Sequence, residues 1–138
     1  ARVLRKLMVL DKPVTGSGLT ATEAFDMYTI TTPVPIIRNE ELILLKAEAE
    51  IQTNDLTSAR NDLNFVRTHS GELPMYSPFA TKDEAINALV YERRNSLLFE
   101  GGHRWIDSRR LGKLNDLPKD GGSIHMDMPI PTAETQPR

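Results

Sequence analysis

The residues with the greatest chemical potential lie in one stretch, Tyr91 to Arg110, which reads YERRNSLLFEGGHRWIDSRR. Glu92 and Glu100 are carboxylates of the kind that perform paired general acid and base work. On a helix they are separated by eight residues, ~12 Å of rise, and by about 80° around the axis. A glycosidase pair needs carboxyl groups ~5–9.5 Å apart, so the spacing argues against that chemistry. Metal binding lacks a motif: His69, His103 and His125 form neither HExxH nor an i,i+4 pair. Ser108 sits among arginines outside any G-x-S-x-G turn, and Gly101-Gly102-His103 is not followed by the Lys-Ser/Thr of a phosphate-binding loop. The composition and motifs therefore imply no catalytic residue, no metal and no cofactor.

Arg93-Arg94 and Arg109-Arg110 could contact phosphate, but each pair is flanked by acids, which favours internal ion pairs. Trp105, the only tryptophan, is the candidate ligand-binding residue because an aromatic face suits the C–H face of a sugar. Beside Ile106 it fits a core anchor better.

These residues need a helix to position them. At 100° per residue, Ile86, Leu89, Val90 and Leu97 share a narrow arc with Arg93 at its centre and Glu100 within about 40° of it. If the helix continues through the glycines, Arg104 returns to that face. Charges on an apolar face must be paired, since an isolated buried charge costs several kcal/mol. The stretch is thus expected to be a structural ionic element rather than a catalytic cluster.

The rest of the 138-residue chain is read as mainly α-helical. Seventeen basic against nineteen acidic residues give a net charge of −2, with no electrostatic footprint for nucleic acid. Cysteine is absent, and no apolar run approaches the ~18 residues of a membrane span. The start at Ala1, in ARVLRKLMVL, reads as a processed or excised piece of a longer protein. Prolines and glycines predict an irregular lead-in over 1–37, with a helical turn or two only at Ala21 to Tyr28. From Asn39, a plausible N-cap, good helix formers run to Thr53. Asp55 caps a second helix from Leu56 to about His69, with the stripe Leu56, Ala59, Leu63 and Val66. Together 38–70 predict an antiparallel hairpin resembling one tetratricopeptide unit, with Ala47, Ala49 and Ala59 permitting close approach. A Gly/Pro/Ser loop carrying Met75, Tyr76 and Phe79 leads to a capping box at Thr81 and Glu84. A third helix then runs to about Glu100 within the charged segment 81–112. The tail, 113–138, reads as loop and extended chain.

Taken in order, RNEELILLKAEAE (Arg38 to Glu50), ARNDLNFVR (Ala59 to Arg67), YERRNSLLFEGGHRWIDSRRLG (Tyr91 to Gly112) and PIPTAE (Pro129 to Glu134) resemble the C-terminal part of the SusD/RagB family. Its members are nutrient-binding outer-membrane lipoproteins. The shared pattern is Arg-x-x-Glu opening an AEA helix, Asn-x-x-Arg closing its partner, Glu-Arg-Arg, a Glu-Gly…Arg-Trp…Asp…Arg block and an Ile-Pro…Glu ending. Ser108, where leucine is common, and Thr135-Gln136 depart from it. The resemblance implies a helical protein with tetratricopeptide-like hairpins, held by an N-terminal lipid on the outer membrane of a Gram-negative cell. It further implies a partnership with a SusC-like TonB-dependent transporter, to which glycans or other nutrients are passed without catalysis. Carried over by residue, Glu92, Arg93, Glu100, Arg104, Asp107 and Arg109 match positions that are structural in the family. Family members are several hundred residues long, and their ligand contacts come largely from regions before this one. Two other readings stand beside it: a helical-repeat scaffold for a protein partner, and a glycoside hydrolase, which the carboxylate spacing disfavours.

Overall fold

A computed structural model of the chain describes residues 7–16, 18–98, 103–118, 124–127 and 130. It divides into two compact units, Ala1–Gly101 and Gly102–Arg138, and is mainly helical.

The first unit opens with an antiparallel hairpin of β1 (Leu7–Gly16) and β2 (Leu19–Phe25). Residues 26–37 are irregular as expected, but the strands correct the reading of the earlier lead-in, in particular the helical turn expected from Ala21 onward. Ala and Glu favour helix in isolation, but the β-branched partners and the tight connection at Gly18 (φ 79°) pair this segment instead. Thr15 and Thr20 lie opposite one another, their hydroxyls 3.0 Å apart. The register slips between Val9 and Val14. That interval contains Pro13, which has no N–H to give to the ladder.

Three helices follow: α1 (Asn39–Gln52), α2 (Leu56–His69) and α3 (Lys82–Ser96). Arg38, not Asn39, is the residue that caps α1, and it does so without a side-chain hydrogen bond. Asp55 caps α2 by accepting from the Ser58 amide at 3.1 Å, and α2 occupies the interval its stripe marks out. Thr81 caps α3 by accepting from the Glu84 amide at 3.2 Å. The Glu84 carboxylate reaches one residue further back than a standard capping box, accepting from the Ala80 amide at 2.7 Å.

Cross-helix bonds define the directions. Ser70 beyond the end of α2 donates to Glu40 at the start of α1 at 2.6 Å, and Lys46 reaches Asp62 at 2.6 Å, so these helices are antiparallel. Lys82 at the start of α3 donates to Gln52 at the end of α1 at 2.7 Å, while Arg38 reaches the Ser96 carbonyl, so α3 again runs against α1. The core is Leu44, Ala47, Ile51, Ala59, Leu63, Val66, Ala85, Ala88 and Leu89. Ala47 and Ala59 are fully buried, whereas Ala49 faces solvent, contrary to its expected part in the helix contact.

Two features of α3 differ from expectation. The helix ends at Ser96, with Leu97 as its C-cap, rather than near Glu100. Asn95 turns its amide onto the Tyr91 carbonyl at 2.8 Å, a local bond that competes with the helix ladder. Leu89, Arg93 and Leu97 are buried as expected, but the buried face also extends over Ala85, Ala88, Glu92 and Ser96, while Ile86 and Val90 are only half-buried.

The second unit contains α4 (His103–Arg110), closed by Gly112 at φ 68°. The Lys113 amide returns to the Ser108 carbonyl at 2.6 Å, satisfying an end carbonyl in the manner of a Schellman turn. A 3₁₀ turn over Leu114–Asp116 then follows where the tail was expected to be loop.

Candidate functional site

Glu92 is fully buried on α3. Its carboxylate accepts from Arg67 Nη1 at 2.9 Å and from the Tyr76 hydroxyl at 2.8 Å. Arg67, in the last turn of α2, also donates through Nη1 to the Tyr76 oxygen at 3.1 Å and through Nε to the Pro74 carbonyl. Its guanidinium lies 4.2 Å from the centroid of the Tyr76 ring and 5.7 Å from that of Tyr91. The loop carrying Tyr76 is anchored separately, its amide donating to Oδ1 of buried Asn64 at 2.7 Å. Burial raises the Tyr76 phenol well above its ordinary value, and the bond to Glu92 adds to the shift. For Arg67, burial alone favours the neutral form, but Glu92 and the two tyrosines outweigh it and the net shift is upward. The guanidinium of Arg67 is therefore stabilised in its charged form and the Tyr76 phenol in its neutral form.

A cleft of about 600 Å³ opens over this triad, between Arg67, the loop from Tyr76 to Phe79, and the Glu84–Asn87–Ala88–Tyr91 face of α3. Tyr76 and Phe79 stand in tilted contact, ring centroids 5.7 Å apart. A second buried pair joins α3 to α1, Arg93 Nη2 to Glu48 Oε2 at 2.8 Å. Here both side chains are about nine-tenths buried.

The residues read from the sequence as one ionic network are thus distributed. Glu92 and Arg93 take partners from two other helices, Arg67 and Glu48. Glu100 lies outside the described residues. In the second unit Arg104 is exposed on α4, and buried Asp107 pairs with Arg110 at 2.8 Å. Arg109 is largely exposed and reaches Asp127 at 2.6 Å. Trp105 is half-buried rather than a core anchor, its indole N–H donating to the His125 carbonyl at 3.2 Å with the Arg109 guanidinium 5.6 Å from its ring.

Sequence reasoning gave no site role to Glu48, Arg67, Tyr76, Asn87 or Tyr91. A signal existed for the first two. Leu44, Ala47, Glu48 and Ile51 fall at i, i+3, i+4 and i+7, which puts Glu48 on the buried stripe, and Arg67 continues the stripe of α2 one turn past Leu63. Among the described residues, no group of three or more His, Cys, Asp or Glu side chains could hold a metal ion, and no helix is long and apolar enough to cross a membrane.

The first unit is thus mainly helical, with the buried charges Glu48 and Arg93 paired between α1 and α3, and Arg67 and Glu92 paired beneath an open, aromatic-walled cleft. The family model described as the SusD family matches residues 8–135, and the chain belongs to that family. A SusD-like protein of Formosa agariphila is 33% identical over 103 residues, which is 64% of this chain and 20% of that protein. The chain therefore spans about a fifth of the length of that relative. No solved structure matches it significantly.

Proposed function

We propose that the chain is part of a nutrient-binding protein of the outer-membrane surface, held there by an N-terminal lipid, that captures glycans and passes them to a SusC-like TonB-dependent transporter without chemically changing them. The observation that carries this reading is the SusD-family match over residues 8–135. The geometry of the cleft supports the absence of catalysis. Glu92 beneath it accepts from Arg67 and Tyr76, and Glu84 on its rim accepts from the Ala80 amide. Both carboxylates are thus engaged in holding the fold. Eight residues on α3 separate them by ~12 Å of rise, beyond the ~5–9.5 Å of a glycosidase pair. Glu92, Arg93, Asp107 and Arg109 serve in this reading as structural ion-pair residues.

The test is a glycan array probed with the full-length protein, followed by incubation with each bound glycan and assay for reducing ends. Saturable binding with no released ends is expected, as is co-purification with a TonB-dependent transporter. Turnover that is lost in Glu92→Gln or Glu84→Gln would overturn the non-catalytic reading.

A further inference from the structure

The cleft above the Arg67–Glu92–Tyr76 triad has a chemistry that its structural role does not use. Its volume of about 600 Å³ falls within the ~300–1,000 Å³ typical of small-ligand sites. Three aromatic rings border it: Tyr76, Phe79 and Tyr91. Tyr91 is 46% exposed although it projects from the same helix as buried Glu92. Three polar groups of the lining, the Ser77 hydroxyl, the Asn87 amide and the Tyr91 phenol, make no hydrogen bond to any described residue. Between them they offer hydroxyl donors and acceptors and one carboxamide, the set that satisfies vicinal sugar hydroxyls. The charge of the lining's cation, Arg67, is matched by Glu92 at 2.9 Å, and its Nε and Nη1 are engaged by Pro74, Tyr76 and Glu92, so the cleft presents no uncompensated positive charge to hold a uronate or a sulfate ester.

We infer that this cleft is a binding subsite for a neutral pyranose unit of a glycan. Tyr91 and Phe79 provide apolar faces for the ring's C–H groups, and Asn87 and Ser77 bond its hydroxyls. The inference rests on the nutrient-capture reading and locates part of the binding surface on this chain. Arg67 is a positioning residue, because it holds the Tyr76 ring from below through its contact at 4.2 Å and fixes the wall without touching the sugar.

Titration calorimetry on the full-length protein tests it, with maltohexaose, cellohexaose, xylohexaose and mannohexaose as neutral probes and hexagalacturonate as the acidic one. Binding of at least one neutral probe is expected, weakened about tenfold in Tyr91→Ala and roughly five- to tenfold in Asn87→Ala, the loss that one stacking or hydrogen-bonding contact produces. Both residues are exposed, and unchanged thermal midpoints in the two variants establish that they fold. Tyr91→Phe keeps most of the affinity, since the stacking face is retained. Neutral binding that is unaltered in both alanine variants overturns the subsite and leaves the capture reading standing. Binding of hexagalacturonate alone overturns the neutral assignment. Binding of none of the probes overturns the capture reading and the subsite together.

Discussion

Arg67 and Glu92 meet at 2.9 Å across the junction of α2 and α3, with the carboxylate fully removed from solvent. Such a pair adds little net stability over apolar residues of similar volume, but breaking it from one side strands a charge. Glu92→Leu is expected to cost about 3–5 kcal/mol for that reason. The double variant Arg67→Met/Glu92→Leu should recover most of the loss. Urea denaturation of the four proteins of the cycle measures the coupling, and a double variant no more stable than Glu92→Leu would refute the argument.

Tyr76 supplies the alkaline limit of the same triad. Its phenol is raised above the ordinary value near 10 by burial and by the bond to Glu92. A folded pKa above the unfolded one means that the contribution is complete below about pH 10 and is lost as pH rises further, through the folded value. Tyr76→Phe should cost about 1–1.5 kcal/mol at pH 7, below the ~1.5–3 kcal/mol of a fully buried bond to a charged group because the residue is half-buried. The gap between the two proteins should narrow above pH 10. Thermal midpoints collected from pH 7 to pH 11 check both statements.

Asp55 sets an acid-side dependence of opposite sign. Its carboxyl is held below the usual carboxylate range by the Ser58 amide and side chain. The stabilisation is present above about pH 4 and fades as pH falls through the depressed folded value. Asp55→Ala should lower the thermal midpoint at pH 7, with the difference from the parent shrinking below pH 4. A difference independent of pH would assign the effect to helix propensity instead of the charged cap.

Ala59 is fully buried in the contact between the helices of the hairpin. Ala59→Leu should destabilise by about 1–3 kcal/mol through overpacking, whereas a solvent-facing change at Ala49 should be nearly neutral. Equal effects at the two alanines would contradict the observed orientation of α1.

Gly112 has φ 68° with open space where a Cβ would go, so only backbone strain opposes substitution. Gly112→Ala should cost about 1 kcal/mol, and Gly112→Asn less, because asparagine tolerates the left-handed region. Midpoints for the second unit, followed by Trp105 fluorescence, report the order.

Much of the secondary structure was legible because its causes are local. The stripe of Leu56, Ala59, Leu63 and Val66, the cap at Asp55 and the box at Thr81 each act within a turn of their own position. The β-hairpin was not, because ATEAF carries helical propensity and becomes strand only through pairing with β1. The end of α3 at Ser96 carries no glycine or proline stop of its own, since Gly101 and Gly102 lie further along the chain.

The amino-acid sequence by itself determined the family, through four motifs in order, and the helical class, through periodicity and capping. It also required that charges on an inward face be paired, since desolvation makes the alternative too costly. Which partner each charge takes was decided only by tertiary packing. Arg67 is 25 positions from Glu92, and 45 positions separate Glu48 from Arg93. Such meetings follow from how closely alanine-lined helices approach, and the cleft over Arg67, with Tyr76, Asn87 and Tyr91 around it, exists only once they have done so.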